Sequence, residues 1–112
     1  MDNKKIKIIE SMILLNTFNY EECRAKIERY LEEEEFIYYR VILKILDLIE
    51  SIATEQDFYN KISEIYQLTD EIEEDNLGRE FKNLVKQILE EFKNPSFGFP
   101  KKKIILNWQI FV

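Results

Sequence analysis

The stretch FIYYRVILKILDLIESI, residues 36–52, decides the fold of this chain. Apolar residues fill most of it, and four of the five polar residues that interrupt them form a narrow stripe, Arg40, Lys44, Asp47 and Ser51, at spacings of four, three and four. Those spacings bring the four side chains to one face of an α-helix. A helix that is apolar nearly all round is normally the buried centre of a small bundle. Residues 36–52 therefore predict a central helix with other helices packed around it.

The rest of the chain has the composition of one helical domain. Its 112 residues are enough to bury a core but too few for two domains. Sandwiches and barrels need turn residues about every 8–12 positions. Here the two glycines and two prolines all lie at or beyond Gly78, which excludes a set of short strands before it. We expect an all-α bundle of about five antiparallel helices over residues 1–94, followed by a C-terminal extension over residues 95–112.

A helix start is predicted after residue 19. Asn19 as the N-cap, with Glu22 three residues later, has the spacing of a capping box. Phe18 and Cys23 occupy the two positions of a hydrophobic staple at the same start. This second helix should run to the acidic block Glu32–Glu35.

Three more helices are predicted on either side of these two. Isoleucines at helical spacing predict the first over about residues 4–16. Thr54 can cap a fourth helix, which we expect to end in the acidic segment 71–75. Residues 76–78 read as the break before a fifth amphipathic helix, which should end near Phe92, ahead of the first proline.

The chain has few groups suited to catalysis or metal binding. It has no histidine, and its single cysteine, Cys23, excludes an intramolecular disulfide and most metal sites. Cys23 lies on the inner face of its predicted helix, which favours a buried structural thiol over a reactive one. The magnesium motif of all-helical nucleotide pyrophosphatases requires a Glu-x-x-Asp, and the nearest candidate has Lys44 in place of the acid, three residues before Asp47. We expect no catalytic residue, no cofactor and no metal, with a small helical enzyme as the third hypothesis.

The N-terminal segment predicts neither a signal peptide nor a membrane span. Residues 1–7 are polar overall, and the apolar stretch that follows is short and interrupted by Glu10. We therefore expect a cytoplasmic protein. Its heavy use of Lys, Ile, Glu, Asn, Phe and Tyr is typical of an AT-rich genome and favours a bacterial or phage origin.

Charge is distributed unevenly along the chain. Residues 1–19 have a net charge of +1, residues 20–76 have 17 acids against 6 bases, and residues 77–112 have 3 acids against 7 bases. The acidic middle disfavours nucleic acid as the main partner, because duplex binding needs a basic surface. It favours a basic protein partner, although solubility alone explains the same charge.

Two acidic blocks stand at the predicted ends of helices two and four. The helix dipole disfavours negative charge at a helix C-terminus, so these positions give some support to a recognition role, although a solvated face is the favoured interpretation. If the helices are antiparallel, the two blocks lie at the same end of the bundle and can merge into one acidic patch. The candidate partner-binding residues are Glu32, Glu33, Glu34, Glu35, Glu71, Glu73, Glu74 and Asp75.

The C-terminal tail differs in kind from the helices. Lys101–Lys103 precede a largely apolar segment, residues 104–112, which alternates apolar and polar residues from Leu106 to Ile110 as strands do. An exposed segment of this type promotes edge pairing and aggregation. It must therefore be covered by its own bundle, by a partner or by another copy of the chain. Trp108 and Phe111 are the candidate partner-binding residues in the tail.

Two stretches resemble the tetratricopeptide repeat. Asn19-Tyr20-Glu21-Glu22-Cys23 followed by Ile27 resembles its second helix, in which an aromatic precedes a small residue that packs between helices. Asp57-Phe58 followed by Ile65 repeats part of this pattern 38 residues later. The resemblance implies stacked helical hairpins.

The last predicted helix resembles that of small acidic immunity proteins, such as those against colicin D-type ribonucleases. Asn76-Leu77-Gly78-Arg79-Glu80-Phe81 opens it, and Leu89-Glu90-Glu91-Phe92-Lys93 closes it. The resemblance implies an acidic protein that plugs a basic nuclease site. We therefore expect a non-enzymatic protein that blocks a basic, nucleic-acid-acting partner through an acidic face. The alternative is a structural or scaffolding subunit that oligomerises through residues 104–112.

Overall fold

The described part of the chain folds into an all-α bundle, as predicted. The computed structural model describes residues 3–50 and 55–92, with side chains for 3–49 and 59–90. These residues form five helices: α1 (Asn3–Asn16), α2 (Tyr20–Glu33), α3 (Ile37–Glu50), α4 (Glu55–Asp70) and α5 (Asn76–Phe92). The predicted cap at Thr54, the predicted end of the third helix at Ile52 and the extension over residues 95–112 lie outside the described residues.

The helices run antiparallel in chain order, as the ion pairs between α1 and α2 show. Lys4 near the start of α1 pairs with Glu34 just beyond α2, with Nζ 2.6 Å from the carboxylate. Further along, Glu10 of α1 pairs with Lys26 of α2, so residue numbers rise in one helix as they fall in the other. Ion pairs also connect α2 with α3 and α3 with α4: Arg24–Asp47 at 2.8 Å and Lys44–Glu64 at 2.7 Å.

The third helix is the centre of the bundle, as its sequence predicts. α3 packs against α1, α2 and α4, and the Tyr38 ring lies against Phe81 of α5 with centroids 4.7 Å apart. Four consecutive core positions of α3 are fully buried: Val41, Ile42, Ile45 and Leu46. α5 closes the bundle by packing against α1 and α4.

The turn into α2 differs from the predicted capping box. Asn19 is the N-cap residue, but its side-chain amide donates to Thr17 Oγ1 at 2.6 Å and makes no cap hydrogen bond to α2. Phe18 adopts the left-handed φ of 64°. Its ring, predicted to staple onto Cys23, is 38% exposed and lies edge-on to Tyr20. The left-handed backbone at Phe18 directs Asn19 back toward the end of α1. Asn19 therefore has the spacing of a capping box but does not form the capping hydrogen bond.

The acidic segment 71–75 is a turn, not the end of the fourth helix. α4 ends at Asp70, and α5 already begins at Asn76. Asp75 is the N-cap of α5, and its Oδ1 accepts a hydrogen bond from the Gly78 N–H at 2.7 Å. A carboxylate is favoured at a helix N-terminus, so Asp75 is not at an unfavourable helix end as predicted, whereas Glu71 directly follows the last residue of α4. The segment predicted as the break before α5 forms its first turn instead.

We expect Asp75→Ala to lower the free energy of unfolding by about 1 kcal/mol, because the substitution leaves the Gly78 N–H without its acceptor. Urea denaturation followed by circular dichroism measures the change. Asp75→Asn keeps an acceptor oxygen and should lose only a few tenths of that amount. Equal stability of the alanine variant and the native protein would show that this cap contributes nothing.

Candidate functional site

One end of the bundle, which we call the groove end, brings five helix termini together. Because successive helices are antiparallel, α1, α3 and α5 begin there, and α2 and α4 end there. A groove of about 630 Å³ opens among these termini. The apolar part of its lining consists of Ile8, Phe36, Ile37, Tyr38, Ile72 and Leu77. Its charged part consists of Lys4 and Lys5 from α1 and of Glu71, Glu73 and Asp75 from the α4–α5 turn.

Packed aromatic rings form part of the groove. The Phe36 ring lies 5.1 Å from that of Tyr38 and 5.5 Å from that of Tyr39, measured between centroids. Burial raises the pKa of the Tyr38 hydroxyl to about 12, and the nearby carboxylates of Asp75 and Glu73 act in the same direction. Tyr38 is therefore neutral and protonated near pH 7. The aromatic part of the groove is uncharged and is fixed by ring packing.

The first acidic block is partly neutralised by α1. Glu34 pairs with Lys4 at 2.6 Å, and Glu33 pairs with Lys7 at 3.2 Å. The hydrogen bond to Glu33 raises the pKa of Lys7. Two carboxylates of the block, at positions 32 and 35, are exposed and make no ion pair or side-chain hydrogen bond with the residues described.

The second acidic block divides in the same way. Glu74 pairs with Lys82 at 2.8 Å, and this hydrogen bond lowers the pKa of Glu74. Asp75 is engaged in capping α5. Glu71 and Glu73 are exposed, line the groove, and have neither ion pair nor side-chain hydrogen bond in the described part of the chain. Of the eight predicted carboxylates, four therefore make no ion pair or side-chain hydrogen bond within the described residues: Glu32, Glu35, Glu71 and Glu73.

The two acidic blocks lie at the same end of the bundle, as antiparallel packing predicts. Lys4, which pairs with Glu34 of the first block, lines the same groove as Glu71 and Glu73 of the second. The surface is not uniformly acidic, however, because Lys4 and Lys5 also line the groove. Neither these two lysines nor the aromatic lining was predicted from the sequence. Antiparallel packing was the available signal, since it places the start of α1 opposite the end of α2, but it does not specify which residues pair.

The remaining candidate residues are accounted for as follows. Trp108 and Phe111 lie outside the described residues. Cys23 is fully buried, as predicted, and its Sγ donates to the Ser11 carbonyl at 3.6 Å. Burial raises the pKa of this thiol to about 12, so the nucleophilic thiolate is scarce at neutral pH.

Comparisons with protein-family models, with curated proteins and with solved structures found no match to this chain. The resemblances to immunity proteins and to the tetratricopeptide repeat therefore remain predictions. Among the described residues, no group of three Asp, Glu or Cys side chains is placed to hold a metal ion. In the same part of the chain, no helix has the length and apolar character needed to cross a membrane.

Proposed function

We propose that this chain is a non-enzymatic protein that binds and blocks a basic, nucleic-acid-acting protein through its groove end. The observation that supports this function is the convergence of the two acidic blocks beside one apolar groove. Glu71 and Glu73 line that groove, and Glu32 and Glu35 are exposed at the neighbouring end of α2. None of these four carboxylates is used by an internal ion pair within the described residues.

The chemistry of the partner follows from these two features. Proteins that act on nucleic acids present lysine and arginine to the phosphates. Exposed carboxylates complement such a surface, speed the encounter and reject acidic competitors. The apolar lining adds a contribution that does not depend on salt, from side chains such as Phe36 and Leu77. A bound partner would have its phosphate-binding surface covered, which is how binding would become inhibition.

Reversing the charge of the groove, with Glu71→Lys and Glu73→Lys together, is expected to weaken binding of the partner by about tenfold at low salt, equal to about 1.4 kcal/mol. The native protein should retain a basic protein from host extract at low salt and release it as the ionic strength rises. The affinity is then measured with the retained protein, together with inhibition of its action on nucleic acid.

Glu21→Lys with Glu22→Lys is the matched control. These two glutamates are exposed in the first turn of α2, at the opposite end of the bundle, so the same change in net charge should leave the affinity unaltered. The proposal fails if no basic protein is retained at low salt. It also fails if the groove variant binds as tightly as the control variant.

A further inference from the structure

The groove has both an apolar lining and exposed carboxylates, and a single occupant has to match both. Much of its lining is apolar and aromatic, while Glu71 and Glu73 present exposed carboxylates to it. Lys4 is already paired with Glu34 at 2.6 Å, so negative charge predominates among the groups left for an occupant. The volume of about 630 Å³ is that of a pocket for a drug-sized ligand, so it has room for a few large side chains of an occupant whose other residues lie outside it. A fitting occupant therefore carries positive charge beside large apolar side chains.

The chain itself carries a segment with this composition beyond α5. Residues 101–112 read KKKIILNWQIFV, three lysines followed by a largely apolar stretch. We propose that the groove binds residues 101–112 of the same chain, with Lys101–Lys103 against Glu71 and Glu73 and with apolar side chains against the aromatic lining. This contact would also cover a segment that, left exposed, favours edge pairing and aggregation.

The length of the chain permits this contact. α5 begins at the groove and has 17 residues, so at a rise of 1.5 Å per residue its last residue, Phe92, lies about 25 Å away. Residues 93–100 span at most about 26–29 Å when extended. An extended link of eight residues therefore returns Lys101 to the charged side of the groove.

An intramolecular contact has an advantage over the same contact between two copies. The link keeps the segment on the same molecule, so the contact does not weaken on dilution as a contact between two copies does. The contact needs no external partner, so it can be tested separately from the proposed function. If both are correct, a basic partner has to displace residues 101–112, and the segment acts as a built-in competitor.

Trp108 allows a test in the intact protein, because it is the single tryptophan of the chain. Its emission should be blue-shifted, and its quenching by acrylamide several-fold weaker, relative to the protein unfolded in urea. Glu71→Lys with Glu73→Lys should move both values most of the way to those of the unfolded chain. Reversing the tail, with Lys101→Glu, Lys102→Glu and Lys103→Glu, should do the same. Circular dichroism checks that each variant keeps its helices.

The decisive experiment uses the combined variant, in which the charges of both the groove and the tail are reversed. It should restore the blue-shifted and protected emission, since the opposite charges again face each other. Glu21→Lys with Glu22→Lys should leave the emission unchanged. The proposal is overturned if native Trp108 emits as in urea, or if its protection does not respond to charge at positions 71 and 73. A shift that grows with protein concentration would also overturn it, by assigning the occupant to a second copy.

Discussion

Gly78→Ala should destabilise the protein by about 3 kcal/mol or more, because a Cβ built on Gly78 would lie 1.8 Å from the Glu73 carbonyl oxygen and 3.0 Å from its carbon. Both atoms belong to the backbone, so neither a rotamer change nor a flexible side chain can relieve the overlap. Without this contact, alanine in a helix would stabilise by up to about 1 kcal/mol relative to glycine. The steric cost is larger than this gain, so the net effect of Gly78→Ala is to lower the free energy of unfolding.

Chemical denaturation of the native protein and of Gly78→Ala measures this difference. Asn83→Ala, at an exposed position of the same helix, controls for helix propensity and should be neutral or slightly stabilising. A stabilised Gly78→Ala variant would show that the α4–α5 turn does not approach α5 as closely as described. Loss of this turn would also displace Glu71 and Glu73, so the variant should lose groove-dependent binding even where it remains folded.

The helices could be predicted from sequence because their signals are local. The apolar residues of 36–52 recur with a helical period, and the burial that follows from this pattern is what the structure shows for α3. The absence of glycine and proline before Gly78 excluded a fold made of short strands. Fold class and the central position of α3 therefore needed no knowledge of distant contacts.

The ends of the helices were harder to predict, because a spacing does not specify the direction of a side chain. Asn19 has the right position for a capping box, yet the left-handed backbone at Phe18 directs its amide to Thr17. Likewise, the carboxylates of residues 71–75 were assigned to a helix end. Asp75 instead caps the next helix by accepting a hydrogen bond from the Gly78 N–H, close to the Glu73 carbonyl. Both differences arise from contacts between neighbouring turns.

The site was only partly predictable, for a related reason. Its carboxylates are visible as blocks of glutamate, and antiparallel packing correctly brought the blocks to one end. What sequence could not provide was the exact register that places Lys4 beside Glu34, thirty positions away, and gives that carboxylate an ion-pair partner. The aromatic lining also depends on register, because Phe36 and Tyr38 were part of an undivided apolar run.

The largest loss of packing is expected from Phe81→Ala, which should lower the free energy of unfolding by about 3–5 kcal/mol. Phe81 is fully buried in α5, and its ring meets Tyr38 of α3 in a T-shaped contact with centroids 4.7 Å apart. The substitution removes both the transfer free energy of the ring and its contact with Tyr38, and it leaves a cavity between the two helices. Because small domains are stable by only about 5–15 kcal/mol, a large fraction of the variant should be unfolded in mild denaturant.

Two further variants test whether the loss of stability comes from the buried volume of the Phe81 ring. Phe81→Leu keeps most of the volume, so it should cost clearly less than the alanine variant. Ile6→Ala removes an aliphatic side chain that is 44% exposed and should change stability by less than about 1 kcal/mol. Equal losses for Phe81→Ala and Ile6→Ala would contradict the burial of the ring. Tyr38 lines the groove and is held by Phe81, so a folded Phe81→Leu protein with weakened Trp108 protection would connect the core directly to the groove.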